Sequence, residues 1–311
     1  MGFRIQHELS WSASRAGTLQ ECPRSYYWNY YGSWLGWNKR SEPPRRQAWL
    51  LKKMTRMPML AGSIAHDAIQ RWFEQRRNEG STPEPAAFVE QAVEELRGHY
   101  RDSRDGRWQA RPAKVTHLAE HHYEEPQIDE ATGEAARYGK TYADRIRDSL
   151  LAFLEMPELE GVRTCAPSSW LSCEDMSTFD VEGVKVYAVP DFAYRDDDGV
   201  VHIWDWKTGS PRDADAFQLE VYAGYARDFW GADPDRVVGY DAYLKDRVVT
   251  EVRPGRAGLD QAYARILASI AEMRELHFNA DETAGDPADF AMTEDPRSCS
   301  RCNYRELCDR G

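Results

Sequence analysis

No stretch of this 311-residue chain approaches the roughly 18 consecutive apolar residues of a membrane-spanning helix, and no basic-then-apolar signal opens it. The expectation is a cytoplasmic protein with no membrane partner. Six cysteines are too few for a secreted disulfide scaffold. There is no internal repeat and no low-complexity tract, which excludes solenoids and linker-like chains. Positive charge is also short, for the net charge is −12, and this argues on its face against a polyanionic partner. The 41% hydrophobic content is ample for a large core, either one domain or one domain with a helical insertion.

The charge is unevenly spread. Residues 39–56 carry Lys39, Arg40, Arg45, Arg46, Lys52, Lys53 and Arg56 against one acid, Glu42, a net +6 that leaves −18 for the rest. Such a stripe can neutralise phosphates even in an acidic protein, with Arg45, Arg46, Lys52 and Lys53 as the candidates. A solvated loop around Pro43-Pro44 explains it equally well. Just before it, Tyr26, Tyr27, Trp28, Tyr30, Tyr31, Trp34 and Trp37 crowd together. Aromatics in this position could stack on single-stranded bases, but core packing is the more ordinary explanation. Ser12 or Ser14 can cap a helix ahead of them, which Pro23 interrupts or restarts.

The most informative stretch is residues 186–207, V-Y-A-V-P-D-F-A-Y-R-D-D-D-G-V-V-H-I-W-D-W-K. Two β-rich runs flank an Asp-Gly pair, the pattern of a hairpin. Asp205 and Lys207, two apart on the second strand, share a face, and the turn brings Asp191 opposite the region of Asp205. Two neighbouring carboxylates repel unless a divalent cation lies between them. A salt-bridged surface hairpin is the competing explanation, weakened by the apolar Ile203, Trp204 and Trp206 around the charges.

Other elements fall around this hairpin. A helix over residues 62–78 places His66 on one stripe with Ile69 and Phe73, where a lone histidine is ordinarily a hydrogen-bonded core residue. Helices are expected over 86–101, 134–156 and 257–277, and strands over 168–174 and within 236–253. Glu174, at the end of the first of these strands, is a candidate to face the metals beside the hairpin's carboxylates. His117 and His121 stand one helical turn apart, which suits either a metal pair or, more ordinarily, a solvated helix face. After the hairpin, Asp213 or Asp215 can cap a helix to about Trp230, with Gln218 and Tyr222 on one side of it. Near the end, Cys299, Cys302 and Cys308 have metal-site spacing, and Cys22 is the natural fourth thiolate. Sulfur ligation of this kind suits zinc or an iron–sulfur cluster, and spacing does not separate the two. Cys165 and Cys173 read as ordinary thiols.

Pro190-Asp191 followed by Asp205-Trp206-Lys207 resembles the signature of the PD-(D/E)XK nucleases. The G-S-I-A-H ending at His66, the Gln218/Tyr222 pair and the one-plus-three cysteines in their order resemble its RecB-like iron–sulfur branch, which includes AddB and CRISPR-associated exonucleases. The resemblance implies an α/β fold: a restriction-endonuclease-like core with a central mixed sheet flanked by helices, a helical insertion and a C-terminal cysteine-cluster lobe. It divides the chain into 1–60 (N-terminal helix, first cysteine, basic loop), 61–160 (helical, with the motif histidine), 161–280 (nuclease core) and 281–311 (cluster segment). His66, Asp191, Asp205 and the Trp206 carbonyl would hold Mg²⁺ or Mn²⁺, Lys207 would act on the attacking water, and Gln218 and Tyr222 would support the site and help bind DNA. Cys22, Cys299, Cys302 and Cys308 would hold a [4Fe-4S] cluster, with zinc as the alternative. The implied activity is a metal-dependent deoxyribonuclease, an exonuclease preferring single-stranded DNA or DNA ends. It would serve repair, recombination, CRISPR adaptation or phage defence, with a helicase or CRISPR-adaptation protein as a possible partner. The alternative is a catalytically weak adaptor that binds DNA ends within a larger complex.

Overall fold

The structure, a computed structural model, describes residues 6–174, 177–212 and 215–308. The chain begins with β1 (Ser10–Trp11), α1 (Ala13–Glu21), α2 (Pro23–Tyr27), α3 (Pro43–Lys52) and β2 (Met54–Thr55). A helical stretch follows: α4 (Met57–Glu79), α5 (Pro85–Arg104), the short β3 (His117–Leu118) and α6 (Ala119–His122), α7 (Glu134–Glu155) and α8 (Glu160–Thr164). Next come β4 (Trp170–Cys173), β5 (Ser177–Val181), β6 (Val184–Ala188), β7 (Phe192–Arg195) and β8 (Val201–Lys207). The last elements are α9 (Asp215–Trp230), β9 (Val237–Tyr243), β10 (Val248–Val252), α10 (Gly255–Glu275) and α11 (Pro296–Arg301). None of the described helices is long and apolar enough to cross a membrane.

A five-stranded mixed sheet in the order β10-β9-β8-β7-β4 forms the centre. Antiparallel pairing joins β7 to β8 across the hairpin, while β8 and β9 run parallel. A parallel pair cannot be closed by a tight turn, and the crossover here is α9. Each face of the sheet is covered. Phe192, Trp204, Trp206, Ala242 and Leu244 pack into one core with α4, α5 and α7; Ala193, Val201 and Ile203 join a second core with α1, α9 and α10. This helix–sheet–helix layering makes the protein a mixed α/β structure consistent with a restriction-endonuclease-like fold. A smaller sheet, β1-β6-β5, extends the second core.

Two close approaches set the geometry of the site. On α4, Phe73 stacks on Phe192 of β7 with ring centroids 4.1 Å apart, which pins the helix against the sheet two turns after His66. Gly62 then brings the backbone of α4 against the turn after β8, where an added Cβ would stand 3.1 Å from Thr208 Oγ1. On the other side, Gly239 of β9 admits Leu219 of α9, whose Cβ would lie 2.9 Å from a Cβ at that position. Any larger residue there pushes α9, and with it Gln218 and Tyr222, away from the sheet.

Capping follows the sequence at the N-terminus: the Ser12 side chain accepts from the Arg15 N–H at 3.1 Å, and Pro23 opens a new helix. Asp215 begins α9, and its carboxylate accepts the Arg212 N–H; Asp213 lies outside the described residues. Tyr26, Tyr27, Trp28 and Tyr31 are buried core residues, and Tyr31 packs on Phe278 with centroids 4.5 Å apart. Trp37 remains exposed. The basic segment is the helix α3 and its flanks, not a loop.

One expectation is corrected. The stretch containing His117 and His121 is not a solvated helix face. Met54 and Thr55 pair in parallel with His117 and Leu118, and this short pairing pulls His117 inside, where it is 3% exposed and stacks on Trp108 with centroids 3.6 Å apart. His121 Nδ1 shares a hydrogen bond with Ser103 Oγ at 2.8 Å. Two-residue strands carry no periodicity that a sequence could display.

Candidate active site

The register of the hairpin decides which side chains meet. Phe192 lies opposite Trp204 and Ala193 opposite Ile203, so Asp191 falls opposite Asp205 just beyond the last paired residues. Alternation along β8 sends Trp204 and Trp206 into the helical core and Asp205 and Lys207 to the other face. Asp191 Oδ2 accepts the Trp206 N–H at 2.5 Å, a backbone bond that ties the two strands together at the carboxylate. Asp191 is 7% and Asp205 3% exposed.

His66 reaches this edge from α4. Its Nδ1 lies 3.3 Å from Asp191 Oδ1 and 3.6 Å from Glu174 Oε1. Ligand atoms of His66, Glu174 and Asp191 all lie within 4.8 Å of one another. Glu174, the residue after β4, is held with φ +57°, a left-handed conformation costly for a glutamate and typical of functional sites. Its N–H donates to the Asp191 carbonyl at 3.1 Å. The Glu174 Oε1 atom is buried without a hydrogen-bond partner among the described residues.

Asp205 is placed differently. Its Oδ2 forms an ion pair with Lys207 Nζ, and its Oδ1 lies 3.3 Å from the Tyr222 hydroxyl, whose one proton it shares with the Val189 carbonyl at 2.9 Å. Lys207 Nζ also donates to Gln218 Oε1 at 2.9 Å, and Gln218 Nε2 to the Tyr222 oxygen at 2.6 Å. A Gln and a Tyr one turn apart on α9 thus brace the lysine and the aspartate from one side. The structure brings His66, Glu174 and Asp191 into one group and sets Asp205, Lys207, Gln218 and Tyr222 beside it. All seven line an open cleft of about 850 Å³.

The electrostatics of the cleft are those of crowded buried charge. Burial pushes the Asp191 carboxyl above the ordinary carboxylate range, against the pull of His66. Burial is the strongest single influence on His66 and works to lower it, but the Asp191 charge, the contacts with Asp191 and Glu174 and the Asp205 charge together outweigh it and lift the imidazole well above its usual value. Burial likewise opposes the Lys207 ammonium, which the charge and hydrogen bond of Asp205 with the charges of Asp241 and Asp215 together raise. Burial drives the Tyr222 hydroxyl up and keeps it a donor. Carboxylates packed this closely hold onto a proton, and a divalent cation among them would replace it.

The four cysteines meet at a second place. Cys22, Cys299, Cys302 and Cys308 line a pocket of about 600 Å³. Backbone N–H groups point at two of the sulfurs, Thr293 to Cys22 Sγ at 3.5 Å and Tyr304 to Cys302 Sγ at 3.3 Å. Burial raises the Cys302 and Cys308 thiols. Cys165 and Cys173 lie elsewhere, the first half-buried after α8 and the second inside β4.

The basic residues stay outside the cleft. Lys52 Nζ donates to the Asn29 carbonyl at 2.7 Å and borders the cysteine pocket. Arg46 donates to the Gly36 carbonyl at 2.9 Å and lies over Trp49, which Lys53 also approaches. Arg45 is half-exposed on the same helix. Within the cleft the cations are His66, Lys207 and Arg212. Sequence reasoning missed Asp241, 2% exposed on the strand beside Asp205. Its signal lay in the Tyr240-Asp241-Ala242-Tyr243 alternation, which becomes legible only once β9 is known to run parallel to β8.

Asp191 just before one strand of a mixed sheet, Asp205-Trp206-Lys207 on the next and an open cleft beside them are the arrangement that the sequence resemblance leads one to expect. The family model of the PD-(D/E)XK nuclease superfamily matches residues 10–309, and the chain belongs to that superfamily. No curated protein matches the chain. Among solved structures it is similar to one titled "Crystal structure of SSO0001", with a TM-score of 0.30 and 15% identity over 58% of this chain and 80% of that one.

Proposed function

We propose that the protein is a Mg²⁺- or Mn²⁺-dependent deoxyribonuclease that trims single-stranded DNA or DNA ends as an exonuclease. The observation that carries this reading is the convergence of His66, Glu174 and Asp191 to within 4.8 Å beside the Asp205–Lys207 pair. Glu174 Oε1, buried and without a hydrogen-bond partner among the described residues, fits a cation better than it fits a finished hydrogen-bond network.

His66, Glu174 and Asp191 would hold the ion, with Asp205 and the Trp206 carbonyl as further oxygen donors. When bound, a divalent ion supplies Lewis-acid polarisation of the scissile phosphate and a more acidic water. The chain's own residues do the rest. Lys207, on the same face as Asp205, can orient the attacking water by donating to it, and its charge offsets the charge developing on the phosphate. Gln218 fixes the lysine by accepting from Nζ, and Tyr222 holds Asp205 by donating to Oδ1. The cleft's open side, bordered by Arg212 and the Ser12 and Ser14 hydroxyls, offers donors to neighbouring phosphates.

Cys22, Cys299, Cys302 and Cys308 would hold an iron–sulfur cluster. The N–H groups directed at Cys22 and Cys302 suit sulfur that carries negative charge. On this reading the segments holding Cys22 and 281–311 form a lobe stapled to the nuclease core of 161–280, with 61–160 as the helical part that delivers His66.

The test is incubation of end-labelled single- and double-stranded DNA with Mn²⁺ or Mg²⁺. Metal-dependent shortening of the single strand, lost in Asp205→Ala and Lys207→Ala, is the expected result. DNA left intact under every divalent metal while still bound by the protein would turn the reading into an adaptor.

A further inference from the structure

The β8–β9 register places a third carboxylate at the site. In the parallel pairing Asp205 is level with Asp241 and Lys207 with Tyr243. Side chains at level positions of neighbouring strands share a face, so Asp241 lies on the same side of the sheet as Asp205 and Lys207, one strand further from Asp191. It is 2% exposed, and its Oδ1 has no hydrogen-bond partner among the described residues. The nearest cation is Lys207, whose Nζ stands 3.7 Å from that oxygen.

Other groups around this point are already engaged. The Asp215 carboxylate accepts from the Tyr243 hydroxyl at 2.9 Å and from the Arg212 N–H at 2.9 Å. Gln218 lies between Lys207 and Tyr222. Asp205 alone answers two demands, since Lys207 pairs with it now and the proposed cation would draw on the same carboxylate. A buried acid whose oxygen faces only an ammonium, with no hydrogen bonds to steady it, is ill-suited to a purely structural place. It is well placed to be the ammonium's second anchor.

We infer that Asp241 is a positioning residue for Lys207, taking over as its counter-charge when Asp205 turns to the metal and so keeping the ammonium directed along the face where the water and phosphate meet. The inference rests on the nuclease reading above. Lys207 then moves between two carboxylates on adjacent strands while Gln218 holds its third side, and the distance from Nζ to Asp241 Oδ1 closes as Asp205 is withdrawn.

The experiment compares wild type, Asp241→Asn, Asp241→Ser, Lys207→Arg and the Lys207→Arg/Asp241→Asn double variant. Each is assayed with saturating Mn²⁺ on a labelled single strand, alongside a thermal melt. Asp241→Asn keeps the side chain's shape and removes its charge. It should melt near wild type, hold KM within about twofold and lose roughly 10- to 100-fold in kcat, the loss belonging to the transition state alone. In the Lys207→Arg background the same substitution should cost much less, because the two changes act on one interaction. A folded Asp241→Asn or Asp241→Ser enzyme with wild-type kcat overturns the inference, as does a loss confined to KM, a fully additive double variant, or failure of both variants to fold, which would make Asp241 a core residue. Wild type that cuts nothing would instead remove the nuclease reading itself, so the two failures are told apart.

Discussion

The carboxylate cleft and the cysteine pocket each gather residues from distant parts of the chain, but by different means. In the cleft, Asp205, Lys207 and Asp241 stand on adjacent strands and Asp191 just before a third, where its carboxylate accepts the Trp206 N–H, so the sheet fixes their spacing whether or not anything is bound. In the cysteine pocket, Cys22 sits between two short helices and Cys299, Cys302 and Cys308 on a short helix and its flanks, and little regular structure orders them. A metal in the cleft would therefore act on chemistry with the frame already built. A cluster in the pocket would act as part of the frame, joining the first segment to the last and removing loop-closure freedom from the unfolded chain.

The largest expected effect probes the first half of that contrast. Lys207→Ala removes the ammonium that pairs with Asp205 and bonds Gln218, and kcat should fall by about 10³-fold or more, as for loss of a preorganised charge at a reacting centre. The melting temperature should hardly change, because the strand's burial and pairing are untouched. A comparable drop in melting temperature would show that the cleft, too, is part of the frame.

The second effect belongs to the pocket and has the opposite profile. Cys302→Ser, or anaerobic chelation of the bound group, should cost several kcal/mol of stability, on the order of 3 by analogy with the loss of a cross-link that closes a long loop. Absorbance near ~400 nm would disappear with the cluster. Activity per folded molecule should survive far better than in Lys207→Ala. An unchanged melt would deny the pocket its role as a staple.

Next in size is a pH effect in the helical part, away from both sites. His117 is buried against Trp108, and burial depresses its imidazole to about 4. A histidine that binds its proton more weakly when folded favours the unfolded chain as it protonates. Its contribution is thus fully present above the unfolded value of about 6.5 and is lost as pH falls toward 4. The loss should be on the order of 2 kcal/mol between those limits, allowing for partial solvent screening. Over melting curves from pH 7 to 4, wild type should lose about this much stability relative to His117→Phe. If the two run parallel instead, the acid sensitivity lies in the cleft's own carboxylates and the contrast needs redrawing.

What could be read in the sequence divides along the same line. Asp205 and Lys207 were legible because a strand alternates, and Asp191 because an Asp-Gly turn fixes the partner register. Gln218 and Tyr222 were legible as a helical pair, although that they clasp Lys207 and Asp205 depends on α9 crossing over to β9. Glu174 was visible only as a residue near the end of a strand; its positive φ and its placing beside His66 come from tertiary structure. Asp241 was out of reach, since its importance lies in a parallel register between strands separated by a whole helix. The burial of His117 was out of reach for a similar reason, being imposed by a two-residue strand pairing with a segment more than fifty residues earlier in the chain.

The smallest effect concerns the basic segment, which belongs to neither site. Arg46 is spent on the Gly36 carbonyl and the Trp49 ring, and Lys52 on the Asn29 carbonyl, while Arg45, half-exposed on α3, has no ion pair among the described residues. If a strand leaving the cleft runs along this helix, Arg45→Ala removes a phosphate contact that carries no sequence information. KM for a long single strand should then rise by roughly threefold at low salt with kcat unchanged, and the slope of log affinity against log salt should fall by about 0.7, the value of one released counterion on a single strand. A four-nucleotide substrate, too short to reach α3 from the cleft, should show no change. Equal effects on the short and the long substrate would mean that Arg45 acts through the fold, and that the positive stripe reinforces the helix without guiding DNA.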